Sequence, residues 1–273
     1  MRFFPGFFPI PPLRGMILIM IDETLSDHLR SLAEKYETAD FLKKDPSQFM
    51  HRFSEPVEQE IVALISASLA FGRRDQILCH VEKVLAGCGA SPSKWILSEE
   101  FKDMFPESDK SFYRTFSFLS MRLLCSGIRE MLESDGSIGS WCRRKYMEDS
   151  GGTHLSKIIA SHFPLECKII PHSETTAAKR LNLFLRWMVR GPSPVDLGLW
   201  SWYPKSELLI PMDVHVVQEA TRLGLIEETA GGKIRNPTMK MAVELTEKMR
   251  EIFPGDPARA DFALFGLGVD VED

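Results

Sequence analysis

Ile210-Pro211-Met212-Asp213-Val214-His215-Val216-Val217, running on to Arg222-Leu223-Gly224-Leu225, is the stretch on which the fold reading turns. Pro211 ends whatever precedes it, because its ring fixes φ and removes a backbone donor. Asp213 stands where an N-cap belongs: a short carboxylate before an apolar-periodic run accepts from the free N–H groups of a first helical turn. The helix it opens runs to Leu223 and closes on Gly224, since glycine takes the positive φ of a helix end without strain. A carboxylate held there is kept ionised by those N–H groups and by the helix dipole.

Working outward, the same spacing of three and four recurs. Ile61, Leu64, Ile65 and Leu69 mark a helix ended near Gly72, and Ile77, Leu78, Val81, Val84 and Leu85 mark another ended by Gly87 or Gly89. Gly72-Arg73-Arg74 between them is a short basic turn. Further helices are predicted from about Ser111 to Leu132 and from Ile138 to Met147, before a loop at Asp149-Ser150-Gly151-Gly152. From Thr175 to Arg190, Leu181, Phe184, Leu185 and Met188 share one face, while Lys179, Asn182, Arg186 and Arg190 form a basic stripe on another. Gly191-Pro192-Ser193-Pro194 stops that helix, and a connection carrying Trp200 and Trp202 leads to Pro211. Asn236-Pro237 and Asp256-Pro257 open the last two helices. Alternating runs long enough for a buried sheet are scarce, so the fold class is all-α.

With 273 residues, 44% of them apolar, the chain can bury a large core as one domain or as two lobes. A net charge of −5 excludes a surface coated in positive charge for indiscriminate nucleic-acid binding but leaves room for a local basic patch. The five cysteines, without close Cys-x-x-Cys spacing, fit free thiols in a reducing cytoplasm. The apolar opening run to Ile21 is broken by four prolines before position 13 and no small-residue cleavage site follows, which argues against a secretory signal. Residues 1–20 read as a disordered extension or a start set too early, with Met16 and Met20 as alternative starts. His215 reads as a hydrogen-bonded helix histidine, because no His and carboxylate cluster with metal spacing accompanies it. No metal is expected, and the absence of any His-Asp dipeptide weighs against a metal-dependent phosphohydrolase.

Pro211 to Val217 followed by Arg222-Leu223-Gly224-Leu225 resembles the "V-D-V-H, helix, R-L-G-L" stretch of the helix-hairpin-helix DNA glycosylases, such as endonuclease III and 8-oxoguanine DNA glycosylase. Ala177-Ala178-Lys179-Arg180-Leu181-Asn182 resembles the start of the helix after that family's hairpin, and Leu64-Ile65-Ser66-Ala67-Ser68 resembles its "L-L-S-A-Q" helix. Ala260 to Gly268 is similar to the helix that precedes its iron–sulfur loop; the four-cysteine cassette does not follow, so no iron–sulfur cluster or other cofactor is expected. The matches span about Glu60 to Gly268. One departure is plain: the glycine-rich hairpin turn is replaced by Ile170-Pro171-His172-Ser173-Glu174-Thr175-Thr176, longer and without glycine. His51-Arg52, the Lys179–Arg190 helix and the Phe262–Gly268 ending look like a bacterial family distantly related to these glycosylases.

The resemblance implies a two-lobed fold with a cleft: a central helical barrel over residues 56–200, and a second lobe from 21–55 plus 201–273. It implies Asp213 as catalytic carboxylate and Lys179 as the nucleophile of a bifunctional member. Arg180, Arg186, Arg190, His172, Ser173, Thr175, Thr176, His215, Arg73 and Arg74 become the expected DNA contacts. Trp187, Trp200, Trp202 and Tyr203 become the candidate walls of a pocket for an extruded base. The implied activity is cleavage of the N-glycosidic bond of a damaged or mismatched base, with or without strand-cleaving lyase activity. The implied protein is a cytoplasmic monomer acting on double-stranded DNA with a damaged or abasic site, without a membrane partner. A non-catalytic nucleic-acid or protein-binding module on the same architecture is the alternative.

The chemistry suits these residue types. Losing a base leaves positive charge on the sugar, which a fixed carboxylate stabilises. A lyase step needs an uncharged amine, and Lys179 beside Arg180 at a helix start sits where further positive charge is disfavoured.

Overall fold

The computed structural model describes residues 23–228 and 233–270; the expectations for residues 1–20 lie outside the described residues. Twelve α-helices follow one another among the described residues. They are α1 (Glu23–Tyr36), α2 (Pro56–Leu69), α3 (Arg74–Cys88), α4 (Pro92–Leu97), α5 (Phe101–Met104), α6 (Phe118–Asp135), α7 (Ile138–Glu148), α8 (Leu155–His162), α9 (Lys179–Val189), α10 (Val214–Arg222), α11 (Met239–Ile252) and α12 (Ala260–Asp270). The protein is therefore all-α, and no helix among the described residues is long and apolar enough to cross a membrane.

Most predicted elements hold, with shifts at residue 111, at Thr175, at Asn236 and at Asp256-Pro257, which opens a 3-10 turn (Pro257–Arg259) ahead of the last helix. Where one helix was expected from Ser111, a small hairpin forms first: strand β1 (Ser111–Tyr113) pairs antiparallel with β2 (Phe116–Ser117). Arg114 turns the chain at φ 51°, and Ser111 Oγ donates to Arg114 O at 2.7 Å. Ser117 then caps α6 by accepting from Ser120 N at 3.1 Å. Aromatic residues at 112, 113 and 116 are compatible with the pleated form, and Tyr113 is held there by its hydroxyl donating to Phe71 O at 2.6 Å. The helix expected from Thr175 begins only at Lys179, because residues 175–178 are spent on the start of α11: Thr176 bridges Thr238, and Met239 N donates to Thr175 O at 2.8 Å. Thr238, rather than Asn236, caps that helix.

Two clusters of buried apolar side chains hold the helices. One takes α2 to α9 with Phe49, Met50, Trp200, Tyr203 and Leu208. The other gathers Leu29, Leu32 and Ala33 of α1 with side chains of α10, α11 and α12, and it includes Ile210 and Met212. There α1 lies against α12. Ala177 belongs to the second cluster and Leu181 to the first. The start of α9 is thus the seam between the two cores.

Candidate functional site

Lys179 opens α9 at that seam, and Asp213 is the N-cap of α10, extended at φ −118°. One carboxylate oxygen of Asp213, Oδ1, accepts from Val216 N at 2.9 Å, which satisfies the helix end. The other, Oδ2, accepts from Lys179 Nζ at 2.8 Å. Burial pushes the Asp213 carboxyl up, but the Lys179 ammonium, its hydrogen bond, the Val216 N–H and His215 together outweigh it and hold the carboxyl below its ordinary value. The side chains are 34% and 29% exposed, so the pair is enclosed on one side and open on the other.

The backbone on the Lys179 side is held unusually. Ala178 is left-handed at φ 48°, a conformation that costs an L-residue roughly 1–2 kcal/mol. Asn182 Nδ2 donates to Ala177 O at 2.8 Å across this corner, and the buried Asn182 Oδ1 has no partner. Beside it Arg180 is drawn inward: Nη1 donates to Ser68 O at 3.1 Å and the guanidinium lies 4.7 Å from the Phe116 ring. Burial pushes its pKa down to about 10.

Farther along α9 the basic stripe does something other than expected. Arg186 bonds Asp196 at 3.2 Å and Asp261, and Arg190 bonds Asp196, Asp256 at 2.9 Å and Glu37 at 2.9 Å. Glu37 is also held by Arg259 at 2.8 Å. Arg186 and Arg190 were expected to meet DNA; they are buried, with side chains 2% and 3% exposed, and this corrects that expectation. The reason is that Asp196 of the loop after α9, Glu37 just past α1, Asp256 ahead of α12 and Asp261 within it bring acids onto the stripe. Four carboxylates bond three guanidiniums there, an excess of one negative charge. Burial pushes the Asp261 carboxyl up to about 6 against the pull of Arg186 and Lys179, with Asp213 and Asp196 adding to the rise. Asp261 therefore feels the Lys179–Asp213 pair, a connection invisible in the sequence because nothing near residue 261 signals it.

Three of the four expected base-pocket walls are corrected too. Trp187, Trp200 and Tyr203 are buried core residues. Trp200 Nε1 donates to Glu60 Oε1 at 2.7 Å, and Tyr203 packs edge-on against Tyr146 at 5.2 Å. Trp202 is half-buried and stacks on Trp200. The remaining candidates lie at or near the surface. His172 is half-buried with Nε2 unpartnered, and with Ser173 and Thr176 it lines a cleft of about 330 Å³ that reaches Ala178. Thr175 and His215 are exposed. Arg73 is exposed and bridges Asp75 at 2.8 Å, while Arg74 lies 5.3 Å over the Phe265 ring of α12. No group of three or more His, Cys, Asp or Glu side chains among the described residues is arranged to hold a metal ion.

The family model described as protein of unknown function (DUF2400) matches residues 45–270. The chain belongs to this family. No curated protein and no solved structure matches it. In this DUF2400 member the match takes in Lys179, Asp213 and the whole buried network except Glu37.

Proposed function

We propose that this protein is a DNA-base glycosylase, on a two-lobed helical fold whose cleft lies at the seam between the two cores. The observation that carries the reading is the 2.8 Å pair of Lys179 Nζ and Asp213 Oδ2, which joins the first turn of α9 to the cap of α10. The resemblance of the flanking segments to helix-hairpin-helix glycosylases assigns a nucleophile and a carboxylate to these two positions, separated by 34 residues in sequence.

In this reading the target nucleotide is extruded and its sugar C1′ is seated against Asp213. The C1′–N bond breaks, the electron pair leaves with the base, the Asp213 carboxylate stabilises the cationic sugar, and water adds at C1′ as its proton passes to the departing base. The shift that keeps Asp213 ionised suits this task. In a lyase step Lys179 first gives up a proton, then its amine adds to the C1′ aldehyde of the abasic sugar and expels water to form an imine. The enclosed ion pair itself favours one second reading, a binding module in which Lys179 and Asp213 only brace the seam.

Duplexes bearing uracil, oxidised, alkylated or abasic sites, incubated with and without borohydride, separate these readings. Base release from at least one duplex is expected, falling on the order of 100-fold or more in Asp213→Asn. Borohydride trapping on abasic DNA is expected to vanish in Lys179→Gln. Full base release by a folded Asp213→Asn protein overturns the assignment, and tight binding without any turnover moves it to the binding module.

A further inference from the structure

Side chains followed away from Lys179 lead to a second concave surface. The Arg180 guanidinium lies against the Phe116 ring, Phe116 is 6.0 Å from Phe71, and Phe71 lies 4.5 Å beneath the guanidinium of Arg114. Phe71 is 44% exposed, a large ring left at the surface. Gly72, at φ 107°, permits the arrangement, since a Cβ there would collide with the Arg114 side chain. Arg114 then lines a depression of about 270 Å³ with Arg73, Gln76, His80, Phe112 and Tyr113.

The lining has a consistent chemistry. The His80 ring is 4.4 Å from the Tyr113 ring, with Phe112 edge-on at 5.6 Å, so rings from α3 and the β1–β2 hairpin form one aromatic wall. His80 Nδ1 is 2.7 Å from Gln76 O; a carbonyl only accepts, so Nδ1 carries the proton and Nε2 has no protein partner among the described residues. Arg114 has no carboxylate partner among the described residues. The Arg73–Asp75 bridge is 80% and 55% exposed, the kind that exchanges readily for another anion. None of the six lining residues is acidic, although the chain as a whole carries a net charge of −5. Flat rings beside guanidiniums, with a free imidazole nitrogen between them, match a planar heterocycle that carries a phosphate.

We propose that this depression is a nucleotide subsite: an unpaired base packs on His80 and Phe112, with the buried Tyr113 ring backing His80, while its phosphate meets Arg73 and Arg114. Exposed Phe71 and Arg114 extend the depression toward the Lys179–Asp213 pair, backed by the buried Phe116 ring and the inward-drawn Arg180. That continuity rests on the DNA reading given above; the nucleotide chemistry of the depression does not.

The test uses the full chain and 2-aminopurine, whose fluorescence falls when it stacks. It is supplied as the free deoxynucleoside 5′-monophosphate and as a single unpaired nucleotide in a duplex, with the fully paired duplex as control, all at one salt concentration. Quenching by wild-type protein is expected with the free nucleotide and the unpaired site. The unpaired-to-paired affinity ratio is expected to fall about tenfold in Arg114→Ala and in His80→Ala, both with unchanged circular dichroism. Absence of quenching, or a ratio that neither variant alters, overturns the subsite. Competition by pyrophosphate as effective as by dAMP also overturns it, because the site then reads anions alone. Failure of the glycosylase reading shows separately, as absent base release and absent borohydride trapping in wild-type protein.

Discussion

The two ends of α9 carry the same kind of residue and put it to opposite use. Lys179 and Arg186 are seven residues apart, about two turns, so they share a helix face. At the first turn Lys179 meets a single carboxylate with solvent still on one side. Two and three turns on, Arg186 and Arg190 vanish into a network whose acids come from 153 residues upstream at Glu37 and 75 downstream at Asp261. A basic stripe on a helix thus says only that charge is present. Whether it is offered to a ligand or consumed in the interior depends on what the rest of the chain lays over it. Buried ion pairs of this sort hold geometry at the expense of desolvation, and they punish the loss of one partner more than they reward the pair.

The sharpest way to break the comparison is Arg190→Met, which strands the Asp256 carboxylate and leaves Asp196 and Glu37 with one guanidinium each, Arg186 and Arg259. A loss of about 3–5 kcal/mol in urea unfolding is expected. A loss below about 1 kcal/mol would mean that the network is as dispensable as a surface bridge.

Next comes pH. Asp261 binds its proton more tightly folded than unfolded, so the folded state holds the extra proton between about pH 4 and 6. Stability contributed in this way is present at the acid end of that window and is lost as pH rises through about 6, by as much as about 3 kcal/mol. Asp261→Asn is expected to flatten that slope, and an unchanged slope would locate the excess charge elsewhere in the network.

At the other end of the helix the effects shrink. Asp213→Ala loses the cap of α10 and is expected to cost about 1 kcal/mol, whereas Asp213→Asn keeps a capping oxygen and costs less. Comparing their unfolding curves separates the cap from the charge. Lys179→Gln is the mildest, expected to cost under about 1 kcal/mol because the pair is partly solvated. Stability and proposed activity therefore rank these sites in reverse order. A Lys179→Gln protein several kcal/mol less stable would assign the pair a structural task.

Helix starts and stops were legible where a single residue carries the physics: Asp213 as cap, Gly224 at φ 71° after α10, Gly89 at φ 63° after α3. The β1–β2 hairpin was not, since Phe112, Tyr113 and Phe116 fit a helix spacing as well as a short strand. What decides them is the Tyr113 hydroxyl donating to Phe71 O at 2.6 Å, a partner 42 residues away. Trp187 and Trp200 misled for a related reason. An aromatic side chain near a candidate site has the same composition whether it lines a pocket or fills a core, and Glu60, far upstream, claims Trp200.

By itself the sequence determined the helical class, the position of most helix ends and the capping role of Asp213, because each rests on local spacing and on backbone groups within one turn. It also singled out Lys179 and Asp213 through the segments around them. Only the tertiary structure decided that these two side chains meet at 2.8 Å, that Arg186 and Arg190 are interior, and that Asp261 stands within electrostatic reach of the pair. Those outcomes depend on burial and on charges brought from distant segments, and both are properties of the packed chain rather than of any stretch within it.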